Sequence, residues 1–200
     1  MRDFKKDYLD PRKLTGKSQL EPAILNDRSR LKEIYQLRVL AWEHTKYNKY
    51  INRQLYPDGW TDHLDNNGFH FIMQNEKSEI IASSRFNVLH NLSDLPEQDL
   101  FNKFNYPEAR PFGLFSRLVI HPDYRKLGLS SKFDSTMIDF CKKQDIFFTL
   151  AWIHHGGLEQ LTSIGFKVLG TAFYNAFSNE SLQELYVMIF DNSALLEEKK

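Results

Sequence analysis

The sequence predicts an α/β (α+β) protein with a single domain, built on a central, mixed and twisted sheet of about six to seven strands with helices on both faces. Two observations predict this class. Segments with helical periodicity alternate along the chain with short apolar segments typical of strands. The 200 residues also suffice for one domain with a proper core, but not for two comfortable ones.

The first long element is predicted to be a helix. Asp27 or Ser29 can cap its start, and Ile34, Tyr35 and Trp42 recur at helical spacing on one face. Around it we expect a short strand at residues 20–25, a short helix at 48–56, a turn at 57–59, and the strands Phe69–Gln74 and Ile80–Leu89.

The second half of the chain continues the alternation. The predicted elements are a short helix at 94–104, a loop at 107–113, a buried strand at 115–120, a helix over Leu129–Lys143, a fully covered strand at 146–153, a helix over Leu158–Ser163, and strands at 166–173 and 184–190. The predicted domain covers residues 19–192. A polar arm (1–18) precedes it, and a solvated tail (193–200) follows it.

Charge and composition bound the function. Lys+Arg and Asp+Glu balance at 26 each, which argues against nucleic acid as a partner. The N-terminal residues lack the apolar stretch of a signal peptide, and no run approaches the roughly 20 apolar residues of a membrane span. We therefore expect a cytoplasmic protein. The one cysteine, Cys141, lies in an apolar helical pattern and is expected to be a buried, inert thiol.

The most informative segment runs from Leu118 to Ser130. A buried strand (Leu118, Val119, Ile120) leads through a tight loop (Arg125, Lys126, Leu127, Gly128) into an amphipathic helix that begins at Leu129 and Ser130. Converging backbone N–H groups and a helix N-terminus suit a pyrophosphate, and Gly128 allows close approach. Arg125, Lys126 and Lys132 would add full charges nearby. A plain turn between strand and helix, with a solvated basic rim, fits the same residues equally well.

The order of these residues resembles the acyl-CoA signature of the GNAT superfamily, Arg/Gln-x-x-Gly-x-Gly/Ala. Here Arg125-Lys-Leu-Gly128-Leu-Ser130 follows Val119 and Pro122, with Ser130 as a small replacement for Gly or Ala. The string GFKVLG, from Gly165, is similar to the Gly-Phe motif of the same family. The resemblance spans roughly residues 27–191. It implies the GNAT fold, an acyl-CoA or acetyl-CoA co-substrate (or acyl-carrier-protein phosphopantetheine), and cofactor binding by the segment from Leu118 to Ser130.

Several charged residues interrupt apolar elements. Arg38 lies inside the apolar stripe of the first helix, where a guanidinium needs an acidic partner, and Asp62 and Asp65 are the natural candidates. Arg85 and Arg117 lie within strands. Taken singly, each arginine can extend to solvent and each aspartate can cap a turn. Taken together, they suggest a buried polar network of the kind that often belongs to a site.

The same set resembles the acyl-homoserine lactone synthases and N-acyl amino acid synthases, a GNAT branch. The matching residues are Arg38 with Trp42, Asp62-His-Leu-Asp65, Ser84-Arg85, and Ser116-Arg117. The resemblance implies that Arg38, Asp62, Asp65, Arg85 and Arg117 are the catalytic set. Two positions depart from the family: Leu114 replaces a glutamate, and Leu161 replaces the general-acid tyrosine of many GNAT acetyltransferases. Homoserine lactone synthesis as such is therefore not expected.

The leading hypothesis is an N-acyltransferase that moves an acyl group from a CoA or acyl-carrier-protein thioester to a primary amine of a small molecule. A generic acetyl-CoA-dependent N-acetyltransferase and a catalytically silent acyl-CoA-binding module remain as alternatives. Acyl carrier protein is a further candidate partner, and the oligomeric state stays open. No metal site is expected, because adjacent imidazoles such as His154 and His155 rarely share one ion. Either histidine is a candidate base near the acyl site.

Overall fold

The computed structural model describes residues 20–95, 102–107, 111–174 and 183–193. In chain order, the helices and strands of these residues are β1 Ala23–Ile24, α1 Leu31–Glu43, β2 Phe69–Gln74, β3 Ile80–Leu89, β4 Phe112–Ile120, α2 Leu129–Lys143, β5 Phe148–Ile153, α3 Leu158–Ser163, β6 Lys167–Tyr174 and β7 Gln183–Asp191. The predicted arm at 1–18, most of the predicted tail and most of the predicted helix at 94–104 lie outside the described residues.

The strands form one seven-stranded sheet in the order β1-β2-β3-β4-β5-β7-β6. All neighbours are antiparallel except β4 and β5, which are parallel. Parallel neighbours need a crossover connection, and α2 supplies it. The predicted class, an α/β protein with one mixed sheet, is confirmed.

Helices cover both faces of the sheet. On one face, Leu37 of α1 packs in a cluster with Ile72 and Val119. On the other, Met137 of α2 packs in a cluster with Phe71. Consecutive residues of β2 thus serve opposite faces, as the period of two in a strand requires. The sheet is buried on both sides, which explains why its strands read as nearly continuous apolar runs.

The segment between α1 and β2 differs from the prediction. Residues 48–56 form a series of turns and not the expected short helix. The Asn52 side chain accepts hydrogen bonds from the backbone N–H groups of Gln54 and Leu55 at 2.9 and 3.2 Å. Asparagine competes in this way with helical backbone bonding, so the chain turns repeatedly. The cap predicted for α1 lies one turn earlier: Asp27 is the N-cap of the 3-10 helix Arg28–Arg30 and accepts from the N–H of Ser29, whereas α1 itself begins after Arg30 without a side-chain cap.

No helix among the described residues is long and apolar enough to cross a bilayer. The cytoplasmic location and the domain boundaries stay predictions.

Candidate active site

The charged residues singled out in the sequence form one connected network. Arg38 donates from Nη1 and Nη2 to the two carboxylate oxygens of Asp65, at 2.9 and 2.8 Å. Arg85 donates from Nη1 to Asp65 at 2.8 Å and to Asp62 at 2.5 Å. Arg117 donates from Nη2 and Nε to Asp62, at 2.6 and 3.1 Å. The structure therefore brings all five predicted residues together.

The network runs from the core towards solvent. The side chains of Arg38, Asp65 and Arg85 are 1% exposed, whereas those of Asp62 and Arg117 are 24% and 23% exposed. Burial by itself would raise the pKa of Asp65, but the hydrogen bonds and charge of Arg38, with the charge of Arg85, hold that pKa well below its ordinary value. Burial opposes ionisation of Asp62 as well, and its arginine partners likewise lower its pKa. Both aspartates are therefore anionic at neutral pH.

Asp62 and Asp65 also cap a turn, the 3-10 helix His63–Asn66. Asp62 is the N-cap and accepts from the N–H of Leu64 at 3.0 Å, and its own N–H donates to Asp65 at 2.9 Å. Both interpretations of the sequence thus hold for Asp62 and Asp65: they cap a turn, and they take part in the buried network. The turn fixes the two carboxylates relative to each other through its own hydrogen bonds, in addition to those from the arginines.

Two members of the site were not singled out in the sequence. The guanidinium of Arg117 lies over the ring of Trp60, with Cζ 3.8 Å from the ring centroid, and Arg38 donates to the carbonyl of Trp60 at 3.1 Å. His70 of β2 is buried beneath the network, with Nε2 3.1 Å from the carbonyl oxygen of Asp65. The sequence signal for His70 was one polar residue within the apolar strand FHFIMQ. Trp60 carried no periodic signal.

A bulge in β4 opens a cleft beside the network. Ser83 pairs with Val119 and Arg85 with Ser116, so β4 holds an extra residue at this point, and Arg117 has a positive φ of 59°. On its other side β4 pairs with β5 only at Gly113 and Leu114. Beyond Leu114 the two strands separate.

The space between the separated strands is a cavity of about 400 Å³. Its walls are mainly apolar, and all three tryptophans of the chain lie in them. The lining residues are Trp42, Trp60, Phe115, Ser116, Arg117, Leu118, Val119, Ala151, Trp152, Ile153, His154, Gly156, Gly157, Gln160, Leu161 and Leu185. Of the predicted catalytic set, Arg117 is the member that lines this cleft. Volume and lining are those of a small-molecule pocket.

The strand that lines the cleft runs directly into the predicted phosphate loop. Lys126 and Gly128 have left-handed φ values of 64° and 71°, and Leu127 lies between them. Such alternation turns successive N–H groups towards one concave side. Gly128 is the N-cap of α2 and supplies no side-chain cap, and a Cβ added there would meet nothing within 4 Å. Ser130 lies in the first turn of α2 and is half-buried. The loop thus has two left-handed residues and an open side at Gly128, and cofactor binding by residues 118–130 stays a prediction.

Two basic side chains predicted to add charge at this loop point elsewhere. Arg125 donates to the carbonyls of Ala41 and His44, at 2.5 and 3.0 Å, where α1 ends. The last carbonyls of a helix lack internal partners and carry partial negative charge, so they attract this guanidinium. Lys132 binds Glu21 at 2.5 Å and the carbonyl of Leu20. Lys126 is exposed at the loop itself.

Comparison with known proteins adds to this geometry. No protein-family model matches the sequence, and no curated protein matches it. An acetyltransferase of the GNAT family from Staphylococcus aureus Mu50 has a similar structure, with a TM-score of 0.56 at 16% identity, covering 85% of this chain and 98% of that one. The chain has the GNAT fold.

Two further solved structures share this GNAT fold. A CoA-dependent acyl-homoserine lactone synthase, BjaI, with SAM and isopentyl-CoA, has a TM-score of 0.64 at 14% identity, over 85% of this chain and 80% of that one. FeeM, an N-acyl amino acid synthase from uncultured soil microbes, has a TM-score of 0.63 at 11% identity, over 87% of this chain and 91% of that one. The fold expected from the motifs is confirmed.

The two departures from the family pattern occupy different places in this GNAT fold. Leu114 is fully buried in an apolar cluster and pairs with Leu150 of β5, so this position is part of the core. Leu161 lies in the cleft wall. Cys141 is buried as predicted, and burial raises the pKa of its thiol to about 11. Of the two adjacent histidines, His154 lines the cleft and His155 is exposed.

Proposed function

We propose that this protein is an N-acyltransferase that moves an acyl group from an acyl-CoA or acyl-carrier-protein thioester to a primary amine of a small molecule. The observation that carries the proposal is the continuity of three features. An apolar cleft opens where β4 leaves β5, β4 runs into a loop with left-handed residues at Lys126 and Gly128, and α2 begins there without a side-chain cap.

Each feature suits one part of a thioester donor. The loop and the α2 N-terminus can bind phosphate groups through backbone N–H groups. Because β4 pairs with β5 only as far as Leu114, the β5-facing backbone groups of residues 116–119 are left to bind the amides of a pantetheine arm. The cleft then holds the thioester and its acyl chain, and transfer depends mainly on orientation and on stabilisation of the oxyanion.

The apolar walls favour an acyl group longer than acetyl. An acetyl group is too small to cover the apolar surface of the three tryptophans in the cleft wall. Each further methylene of a longer acyl chain that is buried there would contribute about 0.8 kcal/mol to binding. We therefore expect octanoyl-CoA to give a higher kcat/KM than acetyl-CoA, measured as thiol release. The reverse order would favour the alternative, an acetyl-CoA-dependent N-acetyltransferase.

Arg117 supports an acceptor that carries a carboxylate. The three arginines of the network face two aspartates, which leaves one positive charge, and Arg117 is the arginine that lines the cleft. An anion bound there would neutralise the excess. The test compares phenylalanine with phenethylamine, which share a ring and an amine and differ by the carboxylate. Faster thiol release with phenylalanine supports this acceptor class, and equal or slower release contradicts it.

Substitution of Gly128 tests donor binding. A valine there is strained at a φ of 71° and fills the open side of the loop, so Gly128→Val should weaken CoA binding by at least tenfold in calorimetry. Gly128→Asn tolerates a left-handed φ and separates backbone strain from obstruction of the loop. Unfolding midpoints verify that both variants fold. Unchanged CoA affinity in both variants would refute the proposed donor site.

Two further measurements separate the proposal from a silent binding module. Mass spectrometry of the purified protein should find a copurified CoA species or acyl chain. Thiol release should be detected with at least one donor and one amine of the panel. Tight CoA binding without thiol release from any combination would favour the silent module.

A further inference from the structure

The cleft contains few groups that can exchange a proton. Among its described lining residues, only Arg117 and His154 have side chains that titrate as acids or bases. An arginine stays protonated in proteins and cannot accept a proton. The aspartates of the network are bound to arginines and do not line the cleft. His154 is therefore the one described lining residue that is able to act as a base.

His154 is held in a fixed orientation at the end of β5. Its ring stacks on that of Tyr47, with centroids 4.9 Å apart and planes at 22°, and it lies edge-on to Trp42 at 6.1 Å. Aromatic contacts of this kind orient a ring without occupying its nitrogens. Neither ring nitrogen has a hydrogen-bond partner among the residues that the structure describes. The imidazole is thus in contact through its ring with two aromatic side chains, and no described residue occupies its nitrogens.

We propose that His154 is the general base that takes the proton from the acceptor amine during acyl transfer. This inference rests on the proposed function and assigns one step of it. The amine nitrogen attacks the thioester carbonyl carbon, so a C–N bond forms and the C–S bond breaks. The thiolate leaves with the bonding electron pair, and the proton of the attacking nitrogen passes to the free ring nitrogen of His154. The resulting imidazolium then returns a proton to the thiolate or to solvent.

The charged surroundings agree with this role. Burial lowers the pKa of His154 from its ordinary value of 6.5, and the nearby charge of Lys46 lowers it further. Lys46 and Tyr47 come from the segment after α1, Trp42 comes from α1, and Arg117 lines the cleft from β4. No carboxylate of the described cleft lining opposes these effects. The imidazole is accordingly neutral at pH 7, the form that accepts a proton, and activity should be lost as the pH falls below the lowered pKa.

The experiment compares two substitutions at His154 with one at its neighbour. His154→Gln keeps a polar side chain, and His154→Phe keeps an aromatic ring against Tyr47. His155→Gln is the matched control, because His155 is exposed and does not line the cleft. For each protein, kcat/KM is measured from pH 5 to 10 by thiol release, with octanoyl-CoA and the amine that the wild-type protein acylates fastest. CoA affinity and the unfolding midpoint are measured alongside.

Both His154 variants should lose about 10²–10⁴-fold in kcat/KM at pH 7, with CoA affinity and folding retained. Their deficit should shrink at high pH, where the amine is already unprotonated. The part of the wild-type acidic limb that reports protonation of His154 should disappear, which leaves only the rise that follows deprotonation of the amine. His155→Gln should match the wild type. If both His154 variants keep the activity and pH profile of the wild type, the assignment of His154 is wrong, while the proposed function stands. A loss of kcat/KM that is equal at every pH would also overturn this assignment. Absence of thiol release from the wild-type protein would overturn the proposed function and this step with it.

Discussion

Replacing Asp65 with asparagine is the sharpest test of the buried network. The carboxylate accepts two hydrogen bonds from Arg38, one from Arg85, one from the hydroxyl of Thr61 and one from the N–H of Asp62, all at 2.8–2.9 Å. Asparagine has the same shape but offers one acceptor oxygen and turns an NH₂ group towards these donors. It also removes the negative charge from two arginines whose side chains are 1% exposed.

The expected cost follows from that geometry. Removing one partner of a buried ion pair leaves an uncompensated charge and typically costs about 3–5 kcal/mol. A whole domain is stable by only about 5–15 kcal/mol, so Asp65→Asn should lose a large share of the free energy of unfolding. Urea denaturation, followed by circular dichroism at neutral pH, measures the loss.

A surface substitution calibrates this measurement. Asp58 has a side chain that is 93% exposed and lies 3.7 Å from Lys32, so Asp58→Asn should change the free energy of unfolding by no more than about 0.5 kcal/mol. If Asp65→Asn falls within the same range as Asp58→Asn, the network does not stabilise the fold in the way described. Likewise, if Arg38→Ala lowers the free energy of unfolding by no more than about 0.5 kcal/mol, the buried network does not stabilise the fold.

Two further predictions concern the same network. The folded-state pKa values of Asp62 and Asp65 lie below the ordinary value, so their stabilisation is full above about pH 4 and is lost as the pH falls through the lowered pKa values. Urea midpoints should therefore drop on acidification in the wild type and drop less in Asp65→Asn; parallel curves would contradict this. Separately, a Cβ at Gly68 would lie 2.8 Å from Cγ of Arg85, which its ion pairs hold in place, so Gly68→Ala should cost about 1–3 kcal/mol in the same assay. Gly156→Ala, where a Cβ meets nothing within 4 Å, should be nearly neutral, and equal effects of the two alanines would refute the close packing.

Elements with strong periodicity could be predicted closely from the sequence. The bounds of β2, β3, α2 and α3 agree with the prediction, because their apolar spacing is regular and their ends are marked by turn residues. The start of β4 was predicted three residues too late. Pro111 and Gly113 favoured a loop there, yet Gly113 pairs with Val88 inside the sheet, and the ring of Phe86 occupies the space that a Cβ would need.

The candidate site also has parts that could be predicted from the sequence and parts that could not. The network could be predicted, because Arg38 within an apolar stripe requires an acidic partner and because the order of the five charged residues resembles the synthase pattern. The cleft could not be predicted, since it exists only where β4 and β5 separate after Leu114, and strand separation leaves no mark in either strand's pattern. The direction of Arg125 was missed for a related reason. Its partners are the end carbonyls of α1, more than eighty positions earlier in the chain, and they lie near the loop only in the folded protein.

Arg117 connects the buried network with the cleft, because it binds Asp62 and also lines the cleft. A positive φ at a side chain of this size costs on the order of 1–3 kcal/mol and persists only where its surroundings enforce it. Asp62 binds the guanidinium and the ring of Trp60 lies against it, while Asp62 is itself held by Arg85 and by its turn. Replacement of buried ion pairs by apolar residues of similar volume is often neutral or stabilising, so stability alone does not account for these charges. The buried charges hold one strained, partly exposed arginine in place, and this arginine brings a fixed positive charge to a mainly apolar cleft.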